Sequence, residues 1–356
     1  MVDYSEKKVA LVGSGLIGAG WAIHLLRNGA KHIKMYDLQE ASLVRAKERI
    51  EEGLKWFEEN GILTAQMREE MMSIPTFTTD MAEAVGDADF ILENGPENLE
   101  IKQSILANIE AVCPEKAIIT SSTSGIMIRR IAANAIHPER VIGAHPYLPV
   151  YLLPLVEIVI SEQVAEENVQ AVVDFMKSTG KKPVVLRKDS PGYIGTRMMN
   201  VVRREATKML MDGVCSVEDL DTAFTFGPGL RWALMGPFMV LQLTGGDHGI
   251  RGLFCGSMNG NPVPIEKPIG DEPVLEAILP PPENGVEPIG EEIFLRSLCR
   301  WVKYPVQATY YMQTQLSDEV EQMMADRNWT NTELAEFRDK GLLELLKYHG
   351  LVKTVD

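Results

Sequence analysis

The feature that most constrains this chain is the run Val9-Ala10-Leu11-Val12-Gly13-Ser14-Gly15-Leu16-Ile17-Gly18, with Met35-Tyr36-Asp37 downstream. A short apolar run that enters a glycine-rich turn reads as a buried strand. The turn has the spacing Gly-x-Gly-x-x-Gly, and the residues after it predict a helix over 19–28. A second strand over 31–36 then ends on an acid. Each part has a physical task in dinucleotide binding. Gly13 permits the tight turn. Gly15 lets the backbone approach a pyrophosphate, and Gly18 allows close packing of helix on strand. Leu16 and Ile17 lie in the turn that leads into the helix, whose N-terminus favours an anion. Asp37 is placed to accept hydrogen bonds from both ribose hydroxyls. It would repel a 2′-phosphate, and no Arg follows in Leu38-Gln39-Glu40. The pattern therefore predicts NAD rather than NADP.

A chain of 356 residues is too long for one small core, so two domains are expected. A net charge of −15 argues against nucleic acid and anionic membrane surfaces as partners. No run of about 18 uncharged apolar residues is present, which excludes a membrane-spanning helix. The N-terminal residues lack a basic region and an apolar signal core, so a cytoplasmic protein is expected. Cys113, Cys215, Cys255 and Cys299 are scattered without metal-ligand or redox spacing. They read as reduced thiols, and no metal site is expected.

Apolar strands alternate with helical patterns through the first half, the signature of βαβ units. Strands are predicted at 88–93, 117–120, 141–145, 155–159 and 183–186, with helices over 41–60 and 98–111. The texture changes at Asp189-Ser190-Pro191-Gly192. Beyond it, Met198, Val202, Ala206 and Met209 follow a helical period, predicting a helix over 197–212 with a core or subunit-interface stripe. The expected fold is α/β, a Rossmann-type doubly wound, mainly parallel sheet over 1–188. A mostly α-helical domain follows over 189–356. A Pro- and Gly-rich excursion at 259–290 interrupts that domain; it reads as a lid, an oligomer contact or an inert insertion.

Oxidation of an alcohol by hydride transfer needs a base for the hydroxyl proton. Of the six histidines, His145 ends an apolar strand, and open α/β sheets bind ligands at the carboxyl ends of strands. Glu157 lies inside Leu155-Val156-Glu157-Ile158-Val159, where an unpaired carboxylate would be costly. It needs a partner, and a neighbouring imidazole is the natural one. Spacing alone leaves open whether the pair is catalytic or a satisfied structural histidine.

These residues carry a family resemblance from about Lys8 to about Phe254. Glu97-Asn98-Leu99-Glu100-Ile101-Lys102, Ser121-Ser122-Thr123-Ser124, the spacing from His145 to Glu157, and Asp189 to Tyr193 together resemble the L-3-hydroxyacyl-CoA dehydrogenase superfamily. The resemblance implies that His145 is the base in alcohol oxidation and that Glu157 orients it. It implies that Ser124 hydrogen-bonds the substrate oxygen. Glu97 and Lys102 match positions close to the nicotinamide half of NAD. It also implies a homodimer paired through the helical domain. The family has Asn where this chain has Thr196, whose hydroxyl can still donate but reaches less far.

Substrate class turns on Gly227-Pro228-Gly229-Leu230-Arg231-Trp232. The acyl-CoA branch of the superfamily generally lacks an Arg here, whereas the L-gulonate and L-carnitine dehydrogenase branches have one. A free carboxylate favours a guanidinium partner; a thioester offers it no charge. This run, with Thr244 to Arg251 and His145 to Pro154, looks most like the carnitine branch. By that likeness Arg231 would clamp a carboxylate, and Trp232, with Tyr147 or Tyr151, would face a quaternary ammonium. Trp232 reads equally as a packed core aromatic and Arg231 as one half of a structural salt bridge. The rival readings are a 3-hydroxyacyl-CoA dehydrogenase and an NAD-binding structural protein of the crystallin kind.

Overall fold

The computed structural model describes residues 4–188, 192–246, 249–250 and 315–348. Its contacts group into two units, Met1–Glu205 and Ala206–Asp356. The first is an eight-stranded sheet covered by helices. In chain order it comprises β1 (Lys8–Val12), α1 (Leu16–Arg27), β2 (His32–Tyr36), α2 (Glu40–Glu59) and α3 (Ala65–Met72). Then come β3 (Pro75–Thr78), α4 (Met81–Val85), β4 (Phe90–Glu93), α5 (Leu99–Glu110), β5 (Ile118–Ser121) and α6 (Ile128–Ile131). The unit continues with β6 (Val141–Pro146), β7 (Leu155–Val159), α7 (Glu166–Ser178), β8 (Lys182–Leu186) and the first part of α8 (Ile194–Met211).

The strand order is β3-β2-β1-β4-β5-β6-β7-β8. Every neighbouring pair is parallel except β6–β7. The chain leaves β1 for β2 on one side and later returns to β4 on the other. The crevice for a ligand in such a sheet opens at that reversal, outside the carboxyl ends of β1 and β4. Val9 to Val12 are buried, because helices cover both faces of a parallel sheet. Two hydrophobic layers follow: one joins α1, α2 and α7 to the sheet, and the other packs α4, α5 and α6 on the opposite face.

Several elements depart from the expectations, α3, α4, α6 and α7 among them, and two bear on the sheet. α1 begins at Leu16 rather than 19, because Gly15 is extended and caps the helix. β3 was not expected; Pro75 opens it, and it pairs only with β2 at the edge of the sheet. On α8, Met198 is 52% exposed and no residue is buried, so of the two readings of its apolar stripe the core within this chain is not the one found.

The second unit holds the rest of α8, then α9 (Val217–Phe224), a π-type turn at Thr225–Gly229, α10 (Leu230–Trp232) and α11 (Pro237–Thr244). Beyond residue 314 it has α12 (Ser317–Asp326) and α13 (Asn331–Tyr348). Its described core is built on Met235, Met239, Ile250, Leu316, Val320, Met324 and Leu334. The excursion at 259–290 lies outside the described residues. No helix among the described residues is long and apolar enough to cross a membrane.

Candidate active site

The glycine turn after β1 has the shape of a phosphate cradle. Gly13 takes φ +97°, and a Cβ there would stand 2.8 Å from the carbonyl group of Asn94. A Cβ on Gly18 would lie 2.0 Å from the Gly13 carbonyl oxygen. Neither position tolerates a side chain. Gly15 is different: nothing lies within 4 Å of where its Cβ would be. The fold does not need that glycine, but a group resting against the backbone would. No side chain caps α1, so its first N–H groups remain for an anion. The Asp37 carboxylate accepts from the Ser14 N–H at 3.0 Å, the Ser14 hydroxyl at 2.7 Å and the Gln39 N–H at 3.2 Å. A carboxylate has about four acceptor positions, so room remains for a ribose hydroxyl. A cleft of about 600 Å³ lies alongside, lined by Gly13, Asp37, Gln39, Ser42, Pro96 and Ile101 among others. These residues fit an NAD adenosine half.

At the other side of the reversal, β4 ends on Glu93, an acid that the sequence reading passed over. Its signal was the one that singled out Glu157, an acid closing an apolar run. Glu93 is buried and accepts from the Lys102 ammonium at 3.0 and 3.1 Å, the Ser121 hydroxyl at 2.5 Å and the Gly95 N–H at 2.6 Å. Lys102 also donates to the Gly95 carbonyl at 3.1 Å and is 1% exposed. The ammonium thus points into the protein rather than into the cleft. Glu97 lies 3.9 Å from it. One Glu97 oxygen gathers the Thr123 hydroxyl at 2.8 Å and the N–H groups of Ser124, Gly125 and Ile126 at 3.0, 2.9 and 3.3 Å. Partial burial would raise its carboxyl, but these donors and Lys102 outweigh burial and hold it low. Glu97 therefore fixes the turn that presents Ser124, which is exposed.

His145 and Glu157 face each other across the antiparallel pair β6–β7. His145 Nδ1 stands 3.0 Å from Glu157 Oε2. The other Glu157 oxygen accepts from the N–H groups of Ile194 and Gly195 at 2.8 and 3.0 Å. Burial pushes the Glu157 carboxyl upward; His145 and the two backbone donors together pull it below its ordinary value. The carboxylate stays charged, holds a proton on Nδ1 and leaves Nε2 as the free acceptor. The His145 ring is flanked by Tyr147 and Tyr193, each with its centroid 5.4 Å away. Tyr193 takes φ +47°, an unusual backbone state for a bulky residue. The Tyr147 hydroxyl is buried against Gly195, where a Cβ would be 1.7 Å from it. Tyr147 thus presents a ring edge to His145 and buries its polar end. Thr196 is the next residue of α8, half-buried.

The remaining predicted residues belong to the second unit. Arg231 is exposed and Trp232 is 42% exposed, so Trp232 is not a packed core aromatic. Its ring meets Phe224 edge-on at 5.7 Å. The π-type turn before them contains Pro228 and a Gly227 with φ −106° and ψ −106°, a geometry outside any regular helix. Among the described residues, no group of His, Cys, Asp and Glu is arranged to hold a metal ion.

Comparison with known proteins gives a consistent picture. Residues 8–190 match the family model of the 3-hydroxyacyl-CoA dehydrogenase NAD-binding domain, and residues 192–273 match that of its C-terminal domain. An L-carnitine dehydrogenase of Bacillus cereus is 40% identical over 247 residues, 69% of this chain and 74% of that protein. Another, from Oceanobacillus iheyensis, is 39% identical over 245 residues, 69% of this chain and 78% of that protein. The solved structure of 3-hydroxybutyryl-CoA dehydrogenase from Escherichia coli aligns with a TM-score of 0.60 at 33% identity. That alignment covers 67% of this chain and 49% of the other, so this chain spans about half of that protein's length.

Proposed function

The chain belongs to the 3-hydroxyacyl-CoA dehydrogenase family of NAD-dependent oxidoreductases, and from that premise we propose that it oxidises the 3-hydroxyl of a small free hydroxy acid to the 3-oxo acid. L-carnitine or a close analogue is the proposed substrate. In this reading residues 1–188 bind NAD, and residues 189–356 bind substrate and pair two copies into a cytoplasmic homodimer.

The observation that carries the chemistry is the His145–Glu157 pair, a partly exposed imidazole 3.0 Å from a buried carboxylate at the carboxyl end of β6. His145 Nε2 takes the hydroxyl proton as the C3 hydrogen leaves. Glu157 holds Nδ1–H and stabilises the imidazolium that forms. Ser124 and Thr196 donate to the substrate oxygen. Glu97 holds the Ser124 turn, and Lys102 acts through Glu97 and Glu93. Bound NAD supplies the hydride acceptor.

The free acid is favoured by Arg231, an exposed guanidinium that suits a carboxylate. Trp232 offers an exposed indole face to a quaternary ammonium. Relatives that are themselves named L-carnitine dehydrogenase support the same reading. The test is NADH formation from L-carnitine, D-carnitine, L-gulonate, L-3-hydroxybutyrate and 3-hydroxybutyryl-CoA. Turnover of L-carnitine in preference to the others is expected. Turnover of the CoA ester alone would overturn the free-acid reading.

A further inference from the structure

The turn between α7 and β8 carries a lysine that the proposed reaction does not use. Lys181 is 2% exposed. Its ammonium donates to the carbonyl oxygens of Val150 and Leu153, the latter at 2.9 Å. The Trp21 ring of α1 lies 5.1 Å away. Arg27, also on α1, donates to the Tyr151 carbonyl at 3.3 Å and sits 3.6 Å from the centre of the Phe57 ring. Two cations therefore hold three carbonyls within the four residues Val150 to Leu153. Among the described residues, neither has a carboxylate within ion-pair distance.

A buried ammonium without a counter-charge is expensive, and an apolar side chain would fill the same space at lower cost. The position of the clasped segment explains what the charge does there. The segment runs from His145 on β6 to the strand that carries Glu157, and it bears Tyr147, whose ring edge meets His145. Its inner side rests on α1, where a Cβ on Gly20 would be 3.0 Å from the Val150 side chain. Fixing its carbonyls from behind fixes the wall in front.

We propose that Lys181 is a positioning residue for the dehydrogenase reaction, a buried clasp that holds residues 147–153 in the one arrangement that supports His145 and shapes the substrate wall. The proposal rests on the reading that this segment lines the substrate site. Burial lowers the Lys181 ammonium to about 8. The titratable groups facing it are on α1. His24 is driven down to about 3 by burial, then by Lys181 and Arg27, and is neutral near pH 7. Arg27 keeps its charge. Lys181 is thus the member of the cluster that changes between neutral and moderately alkaline pH.

The test compares Lys181→Met and Lys181→Arg with the wild type. NAD affinity is measured by titration, and kcat and KM are measured for whichever hydroxy acid is turned over. For Lys181→Met, kcat/KM is expected to fall by about tenfold or more while the NAD Kd stays within about twofold, and Lys181→Arg is expected to recover most of the loss. An unchanged kcat/KM, or an equal loss of NAD affinity, overturns the proposal. Amide hydrogen exchange needs no substrate. In Lys181→Met, residues 150–153 should lose protection relative to α1. Protection equal to that of the wild type would overturn the clasp without touching the substrate assignment.

Discussion

Glu157→Gln is the most informative single change, because it keeps the shape of the side chain and removes its charge. One Glu157 oxygen accepts from Ile194 and Gly195 at 2.8 and 3.0 Å, and the other faces His145 Nδ1 at 3.0 Å. The amide oxygen of Gln can keep the two backbone donors. Its NH₂ then points at Nδ1, where donor meets donor. The ring escapes by moving its proton to Nε2, and Nε2 can no longer take a proton from substrate. A charge-assisted hydrogen bond is worth roughly 1.5–3 kcal/mol, and the wrong tautomer raises the loss to about 10³–10⁴ in kcat, roughly 4–5.5 kcal/mol of barrier. NADH formation under saturating substrate measures kcat; NAD titration should be unchanged. A folded variant with kcat within about threefold of wild type would refute the base–orienter reasoning. Stability supplies a second check with a definite sign. The folded carboxyl is held below its ordinary value, so its contribution is complete above the ordinary carboxylate range. It is lost as pH falls through the lowered folded value. Thermal unfolding of Glu157→Gln should lack that acid-side loss.

Two glycine substitutions separate ligand space from fold. Gly15→Ala meets nothing within 4 Å, so the protein should keep its Tm, yet NAD affinity should fall by about tenfold, roughly 1.4 kcal/mol. Gly18→Ala puts a methyl 2.0 Å from the Gly13 carbonyl oxygen and should lower stability by about 1–3 kcal/mol in denaturant titration. Similar behaviour of the two would undo the claim that Gly15 is reserved for a ligand. Arg231→Ala should raise KM for a free hydroxy acid by about tenfold or more with NAD affinity unchanged. Equal weakening of both would remove the clamp.

Most of the dinucleotide half was legible in the sequence because its constraints are local. A glycine that must take φ +97° and an acid one strand later are written within one βαβ unit. The His145–Glu157 pair was legible for a different reason. An acid in an apolar strand demands a partner, and a register that places residues twelve apart face to face supplies it. The Glu93–Lys102 pair obeys the same rule, yet it was missed. Lys102 lies on α5 two residues from the exposed Glu100, and only the tertiary fold turns it inward. Lys181 was hidden more fully, since its acceptors are backbone carbonyls about thirty residues away, which no side-chain pattern records. The α8 stripe was legible only in part: helical spacing shows that one face is apolar, not whether this chain or a second copy covers it.

The two acids at the site, Glu97 and Glu157, share a device that explains why both are carboxylates. Glu157 is buried on β7 and Glu97 is partly exposed in the loop after β4, and each spends one oxygen on backbone N–H groups of a turn that starts another element. Glu97 gathers Ser124 to Ile126 ahead of α6; Glu157 gathers Ile194 and Gly195 at the start of α8. In both cases the donors overcome the rise that burial imposes and hold the carboxyl low. An amide or hydroxyl could accept one or two such bonds, but only a charged carboxylate keeps its second oxygen free to act. For Glu157 that oxygen holds the imidazole; for Glu97 it lies 3.9 Å from the Lys102 ammonium. The turns that bear Ser124 and Ile194 are thereby anchored through these two acids. The base and the hydroxyl that the proposed reaction calls on are then each held by an anchored turn or strand, which proton transfer to a positioned group requires.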